Sequence, residues 1–125
     1  MKHKDVRPQI PSRINIGYQK YKVLRVNEDS IRQDLKGDDA FYYGMCDTTN
    51  CYIKINKDLD VEEECNTLIH ECLHAVHKAY GIVARRPDEE FIVTALSNGI
   101  TELFTRNPKF MRYVVECFHP KFLSK

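Results

Sequence analysis

The segment "HECLH" at positions 70–74 has the residue types and the spacing of a hydrolytic metal site. In a helix, His70 and His74 lie one turn apart on the same side. Two imidazole nitrogens in that arrangement can bind one zinc ion at about 2.0–2.1 Å each. Glu71 lies on the flank of the pair, where it can reach a metal-bound water rather than the metal. The pattern therefore predicts two zinc ligands, His70 and His74, and one catalytic general base, Glu71.

The other residues on this helix face indicate whether the two histidines belong to an ordinary solvated surface. Solvated helix faces are usually built from Lys, Glu and Gln, whereas this face carries Asn66, Thr67, His70, His74 and His77. A face that is neither apolar nor strongly charged indicates a sheltered polar cleft. His77 lies about 10 Å along the helix axis from His70, so we expect it to be a surface or substrate-facing residue and not a third ligand.

A third protein ligand is expected because a catalytic zinc site uses three, with a fourth position open for water. The segment "PDEEFIVTALSNGITELF" at 87–104 predicts a second helix whose carboxylate would complete a His₂Glu site. Glu89 falls near the middle of the apolar face of that helix, with Val93, Leu96 and Ile100. Glu90 falls on a stripe of small polar residues, namely Thr94, Ser97 and Thr101. The residues by themselves do not decide whether Glu89 or Glu90 is the third ligand.

The N-terminal half of the chain is predicted to form strands. Residues 14–26, "INIGYQKYKVLRV", alternate as in a strand or a hairpin. The β-prone runs "AFYYGMC" and "CYIKIN" flank the turn-forming "DTTN" at 47–50, which predicts a second hairpin. The polar stretch between them, 27–39, fits a short helical turn or a loop.

The C-terminal half is predicted to form three helices. The first starts near Asp60, which has Glu63 three residues on as in a capping box, and it ends near Gly81. A second covers about 88–105, and "NP" at 107–108 opens a third. Strands followed by helices indicate an α+β domain over 14–125, preceded by a flexible basic arm at 1–13. We expect the hairpins to form a small antiparallel sheet that packs on the HExxH helix, the Glu-bearing helix and the C-terminal helix.

Composition excludes several functional classes. The 125 residues make one domain, and 19 basic against 18 acidic residues leave no basic stripe for nucleic acid. No apolar run approaches the roughly 20 residues that a membrane span requires. The N-terminus also lacks the apolar segment of a signal peptide, so we expect a cytoplasmic protein. Five cysteines without framework spacing are typical of reduced thiols.

Together, "HECLH" and "EEFIVTALSNGI" resemble the gluzincin arrangement, in which an HExxH helix is followed by a Glu-bearing helix. With Glu90 as the ligand, the apolar positions of that register are taken by Phe91, Ile92, Ala95 and Leu96. Glu89 fits the register less well, so the resemblance implies the metal ligands His70, His74 and Glu90. Thr94 stands where the family often has an aspartate that orients a ligand histidine.

Over about residues 41–106 the chain resembles the small ImmA/IrrE-type metallopeptidases of bacteria, prophages and phages. It departs from them in its small size and in having "SNGI" in place of the usual "LLMP". The resemblance implies a minimal zincin fold, one Zn²⁺ per chain and a cytoplasmic zinc endopeptidase that hydrolyses a protein or peptide. In such enzymes the substrate lies along an exposed strand edge, for which we expect strand 51–56. The alternative is a catalytically weak zincin-like module that binds zinc and docks a protein partner.

A donor for the oxyanion that forms during peptide hydrolysis is also expected near the metal. The candidates that the sequence offers are Tyr42, Tyr43, His77 and Tyr80.

Overall fold

The computed structural model describes residues 7–35, 42–81 and 89–119, without the side chains of Glu89 and Glu90. The described residues form a four-stranded sheet and four helices, which confirms the predicted α+β class. In chain order the elements are β1 (Arg13–Ile16), β2 (Gln19–Val26), α1 (Glu28–Leu35), β3 (Gly44–Asp47), β4 (Tyr52–Asn56), α2 (Val61–Ala79), α3 (Glu89–Arg106) and α4 (Pro108–Phe118).

The sheet has the order β1-β2-β4-β3 and is mixed, so the expectation of an antiparallel sheet was wrong. Both predicted hairpins are present, β1 with β2 and β3 with β4, and both pair antiparallel. The two central strands, β2 and β4, run parallel. Parallel neighbours require a crossover. Here β3, which runs antiparallel to β4, brings the chain back to the end of the sheet at which β4 begins.

The position of β4 in this order corrects the expectation that strand 51–56 is an open edge. β4 is hydrogen-bonded to β2 on one side and to β3 on the other. Its backbone groups are therefore already paired, and it cannot accept a peptide as an added strand. The edge on this side of the sheet is β3.

Helix α2 forms where the sequence predicts it. The side chain of Asp60 accepts a hydrogen bond from the amide of Glu63, so Asp60 caps the helix start. Just beyond its end, Gly81 adopts a φ of 61°, a left-handed conformation that suits glycine at a helix terminus. The predicted apolar stripe is buried, with Cys65 and Cys72 both at 0% exposure.

The core lies between the sheet and helix α2. Helix α2 contacts β1, β3 and β4, α4 packs on α2 and α3, and α1 packs against β4. Alternation along the strands points their apolar residues toward this core. Its fully buried side chains include Ile14, Ile16, Ile53, Ile55, Leu68, Val76, Phe110 and Tyr113.

Helix α3 buries a different stripe from the one that its largest apolar residues predict. Val93 and Ile100 are 51% and 36% exposed. The helix instead turns inward a row that includes the small residues Ala95 and Gly99, and a Cβ on Gly99 would lie only 2.4 Å from Cγ1 of Val76 on α2. Close approach of the two helices therefore decides the orientation of α3. The described buried residues of α3 are Ala95, Gly99 and Leu103.

A buried carboxylate, Glu64 on α2, ties several elements together. Its side chain is 1% exposed. Arg25 of β2 donates to both of its oxygens, from Nε at 2.9 Å and from Nη2 at 2.7 Å. Arg7 donates at 3.2 Å, and the Tyr113 hydroxyl of α4 donates at 2.8 Å. Burial and the neighbouring Glu64 raise the pKa of Tyr113, and the hydrogen bonds to Glu64 raise that of Arg25. The N-terminal segment, β2, α2 and α4 therefore meet at one charge.

The same network holds the part of the N-terminal arm that the structure describes. Arg7 also donates to the carbonyl of Leu59, and Arg25 Nη2 donates to the carbonyl of Pro8 at 3.1 Å. Residues 1–6 of the predicted flexible arm lie outside the described residues.

None of the helices in the described ranges combines enough length with enough apolar character to cross a membrane.

Replacing Glu64 with Gln is expected to lower the free energy of unfolding by about 3 kcal/mol, because it leaves two guanidinium groups without their buried counter-charge. Urea denaturation of both proteins measures the difference. Glu62→Gln, in the exposed first turn of the same helix, is the matched control and should change stability by less than about 0.5 kcal/mol. Equal effects of the two substitutions would contradict the assigned role of Glu64.

Candidate active site

An open pocket of about 460 Å³ lies between the second half of α2 and the edge strand β3. Helix α2 contributes polar side chains to one wall, β3 and the turn after it form the opposite wall, and the end of α1 closes one side. The lining residues are Leu35, Gly44, Met45, Cys46, Thr48, Glu71, His74, His77 and Lys78. The pocket therefore contains two of the residues singled out in "HECLH", Glu71 and His74.

Glu71 is buried at 7% exposure but reaches the pocket. Desolvation raises the pKa of its carboxyl, against the opposing effect of His70. No described residue forms an ion pair with its carboxylate or donates a hydrogen bond to it. A carboxylate with raised basicity and no donor among the described residues suits proton transfer, which requires an acceptor that is not already engaged.

The rings of His70 and His74 are in contact, with centroids 5.1 Å apart and an interplanar angle of 73°. Both residues are exposed, although His70 is not among the residues that line the pocket. Burial, together with the charges of His70 and His77, lowers the pKa of His74. Low basicity keeps the imidazole neutral, the form that binds a metal. The histidine pair thus fits the donor set and spacing of a shared zinc ion.

The predicted third ligand cannot be compared with this pair, because the side chains of Glu89 and Glu90 lie outside the described residues. Within the described part of the chain, no three ligand-type side chains come together to hold a metal. The backbone of both glutamates lies in the first turn of α3. In the sequence, Glu89 shares an apolar face with Val93, and Glu90 shares a polar stripe with Thr94. These two faces do not decide which glutamate is the ligand, since Val93 and Thr94 are both exposed.

Strand β3 lies unusually close to α2 at Gly44. A Cβ on Gly44 would lie 2.8 Å from Cγ2 of Thr67 and 2.9 Å from the carbonyl oxygen of Lys54. Such distances leave no room for a side chain. Thr67 is one turn before His70, so the absent side chain of Gly44 brings the edge strand alongside the beginning of the HExxH motif.

Cys46 follows on the same face of β3 and lines the pocket. Burial, with the nearby carboxylate of Glu71, raises its pKa to about 12. Cys72, beneath it on α2, has its pKa raised by burial as well. Both side chains are therefore neutral thiols at physiological pH and act as wall and packing groups.

The turn between β3 and β4 closes the far end of the pocket. Asp47 Oδ1 accepts hydrogen bonds from the amides of Thr49 and Asn50 at 2.9 and 2.8 Å. Cys51 completes the turn with a φ of 61°. From α2, Lys78 Nζ donates to the carbonyl of Thr48 at 3.1 Å, which fastens the turn to the helix.

The structure separates the four candidates for an oxyanion donor. His77 lines the pocket, whereas Tyr42, Tyr43 and Tyr80 do not. The Tyr80 hydroxyl instead donates to Glu102 at 2.7 Å, and this bond raises the pKa of Tyr80. His77 is therefore the candidate whose position agrees with a role in the pocket.

Sequence reasoning missed Gly44, Cys46, Thr48 and Lys78. The spacing of Lys78, four residues after His74, places it on the histidine face and was a usable signal. Gly44 interrupts a β-prone run, but only the approach of α2 explains why a side chain is excluded there.

Comparisons of the chain with protein-family models, with curated proteins and with solved structures gave no match. Functional inference therefore depends on the motif and on the geometry of the pocket.

Gly44→Ala is expected to lower the free energy of unfolding by about 1–3 kcal/mol, because the added methyl group forces β3 away from α2. Thr67→Ser removes the methyl group that the new Cβ would meet. We therefore expect the Gly44→Ala/Thr67→Ser protein to be more stable than the sum of the single effects predicts, although contact with the Lys54 carbonyl remains. Urea denaturation of the four proteins in this double-mutant cycle gives the coupling energy. Strict additivity would mean that the two residues are not in contact.

Proposed function

We propose that the protein is a cytoplasmic, zinc-dependent endopeptidase of the ImmA/IrrE-like type, with its active site in the pocket between α2 and β3. The observation that carries the proposal is the position of Glu71, a buried carboxylate that reaches an open pocket beside a contacting pair of histidines. A helix packed only for stability has no use for a buried carboxylate that none of the described residues pairs with, since its burial costs free energy.

The proposed ligands are His70, His74 and Glu90, with Glu89 as the competing third residue. Zinc, when bound, supplies a water of lowered pKa and a Lewis acid that polarises a carbonyl group. Glu71 accepts the proton of the attacking water and returns it to the leaving amine. His77 is the proposed donor to the substrate carbonyl oxygen, because it lines the same pocket.

Edge strand β3 is the proposed support for the substrate backbone. It borders the pocket, and among the described strands it has a hydrogen-bonded neighbour on one side only. An extended peptide can add to such an edge through main-chain hydrogen bonds. Because Gly44 has no side chain, β3 lies close to α2 at this point. A peptide added to β3 would therefore pass in front of Glu71 and His74.

A zinc-binding module that docks a protein partner is the second candidate. It is favoured by the exposure of both His70 and His74. Metal content and catalysis, measured separately, distinguish the two functions.

Elemental analysis of protein purified without chelator is expected to find about one zinc per chain. His74→Ala should lose the metal because it removes one of two adjacent ligands, whereas His119→Ala, an exposed histidine at the end of α4, should retain it. Absence of zinc from the wild-type protein, even after zinc is added back, would remove both candidate functions.

The third ligand is identified by comparing Glu90→Gln with Glu89→Gln. We expect Glu90→Gln to weaken zinc affinity strongly, since a neutral amide is a poorer ligand than a carboxylate, and Glu89→Gln to leave the affinity near that of the wild type. Zinc competition titration measures both affinities. The opposite result would assign Glu89.

Glu71→Gln is expected to reduce peptide hydrolysis by about 10²–10⁴-fold while zinc stays bound, because the general base is lost and the ligands are kept. Mass spectrometry of an unstructured peptide mixture measures cleavage, and Glu62→Gln is the control. Undiminished cleavage by the Glu71→Gln protein would contradict the mechanism, and zinc binding without any cleavage by the wild type would favour the module.

A further inference from the structure

The pocket has a marked asymmetry of charge. His74, His77 and Lys78 are all exposed and all line it. Their spacing of three and four residues places them on one side of α2. Glu71 is the one acidic residue among the described lining residues, and it is buried at the opposite end. The end of the pocket next to the β3–β4 turn therefore presents cationic and hydrogen-bond-donating groups.

The positive charge at this end is not neutralised within the described part of the chain. Lys78 donates one hydrogen bond, to the neutral carbonyl of Thr48, and an ammonium group has two further donors. None of the ion pairs between described residues includes Lys78. The acidic residue of the same turn, Asp47, does not line the pocket, and its carboxylate accepts hydrogen bonds from Thr49 and from Asn50, whose Nδ2 donates to it at 3.1 Å.

We propose that Lys78 forms a subsite for a carboxylate of the peptide substrate, an inference that rests on the peptidase function proposed above. Lys78 lies four residues beyond His74, about 6 Å along the helix axis. An extended peptide advances about 3.3 Å per residue. The carboxylate is therefore about two residues away from the bond that is hydrolysed.

The direction of β3 determines on which side of that bond the carboxylate lies. Gly44 is beside Thr67 and Thr48 is beside Lys78, so β3 runs alongside α2 in the same direction. A peptide that adds to β3 in the antiparallel sense, the more stable pairing, has its N-terminal part next to Lys78. The subsite then selects an Asp or Glu side chain about two residues before the hydrolysed bond. Parallel addition would instead present the C-terminal part of the peptide, including a terminal carboxylate.

Equilibrium binding tests the subsite independently of catalysis. The probes are fluorescent unstructured peptides in which a single Asp, Asn or Lys is moved along a neutral sequence, each made with a free C-terminus and with a C-terminal amide. Fluorescence anisotropy with the zinc-loaded Glu71→Gln protein gives the affinities without cleavage. We expect the best Asp peptide to bind about 3- to 10-fold more tightly than its Asn counterpart, and its Lys counterpart to bind most weakly. Amidation should change nothing, and added salt should reduce the preference.

Variants at Lys78 separate its charge from its role in fastening the turn. Lys78→Gln should abolish the preference for Asp, Lys78→Glu should reverse it in favour of Lys, and Lys78→Arg should keep it. Lys109→Glu, an exposed lysine on α4, is the control for a general change of net charge and should keep the preference. Urea denaturation of each variant shows whether it is folded.

Equal affinities for Asp, Asn and Lys peptides, or no binding by any of them, would overturn the subsite. A preference for the free C-terminus over the amide, whatever the internal residue, would overturn the side-chain assignment in favour of a terminal carboxylate. Cleavage by the wild-type protein is scored separately with the same peptides. A charge preference in binding without any cleavage would support the subsite and contradict the peptidase function. Cleavage without a charge preference would support the peptidase function and contradict the subsite.

Discussion

The rest of the structure depends on the solvation requirement of one buried charge. The carboxylate of Glu64 has lost its water, and it is stable inside the protein only because Arg25, Arg7 and the Tyr113 hydroxyl replace that water. These partners come from β2, the N-terminal segment and α4, so their hydrogen bonds fix how α2 is rotated on the sheet. Glu71 lies seven residues later, two turns along the same side of the helix. The orientation that serves Glu64 therefore also turns Glu71 towards the sheet and away from bulk solvent.

The two buried glutamates of α2 differ in what surrounds them. Glu64 is surrounded by donors and acts as a structural anchor. Glu71 is desolvated by its neighbours, with a raised pKa, and opens on a pocket next to His74. Glu64 thus contributes to stability, whereas Glu71 is available for chemistry. The difference arises from the hydrogen-bond donors that other elements bring to each carboxylate.

The pocket lies where β3 is close to α2 at one end and farther from it at the other. Gly44 allows β3 to pack beside Thr67. Beyond Gly44, the turn after β3 departs from the helix and is held at a distance by the long side chain of Lys78. The space between Gly44 and this turn is lined by donors from α2 and by an edge strand that pairs on one side only among the described strands. Such a combination is suited to binding an extended peptide next to a metal ligand pair.

The sequence by itself determined the local features, because these depend on residues close together in the chain. They include the α+β class, the two hairpins, the bounds of α2 with its Asp60 cap and Gly81 terminus, and the proximity of His70 to His74. Only the tertiary structure decided the parallel pairing of β2 with β4, the choice of β3 as the edge, the inward stripe of α3 and the entry of His77 and Lys78 into the pocket. Periodicity states which residues share a face, but not which face meets a neighbour. That outcome depends on how closely two backbones can approach, and small residues such as Gly44 and Gly99 decide it from positions far away in the sequence.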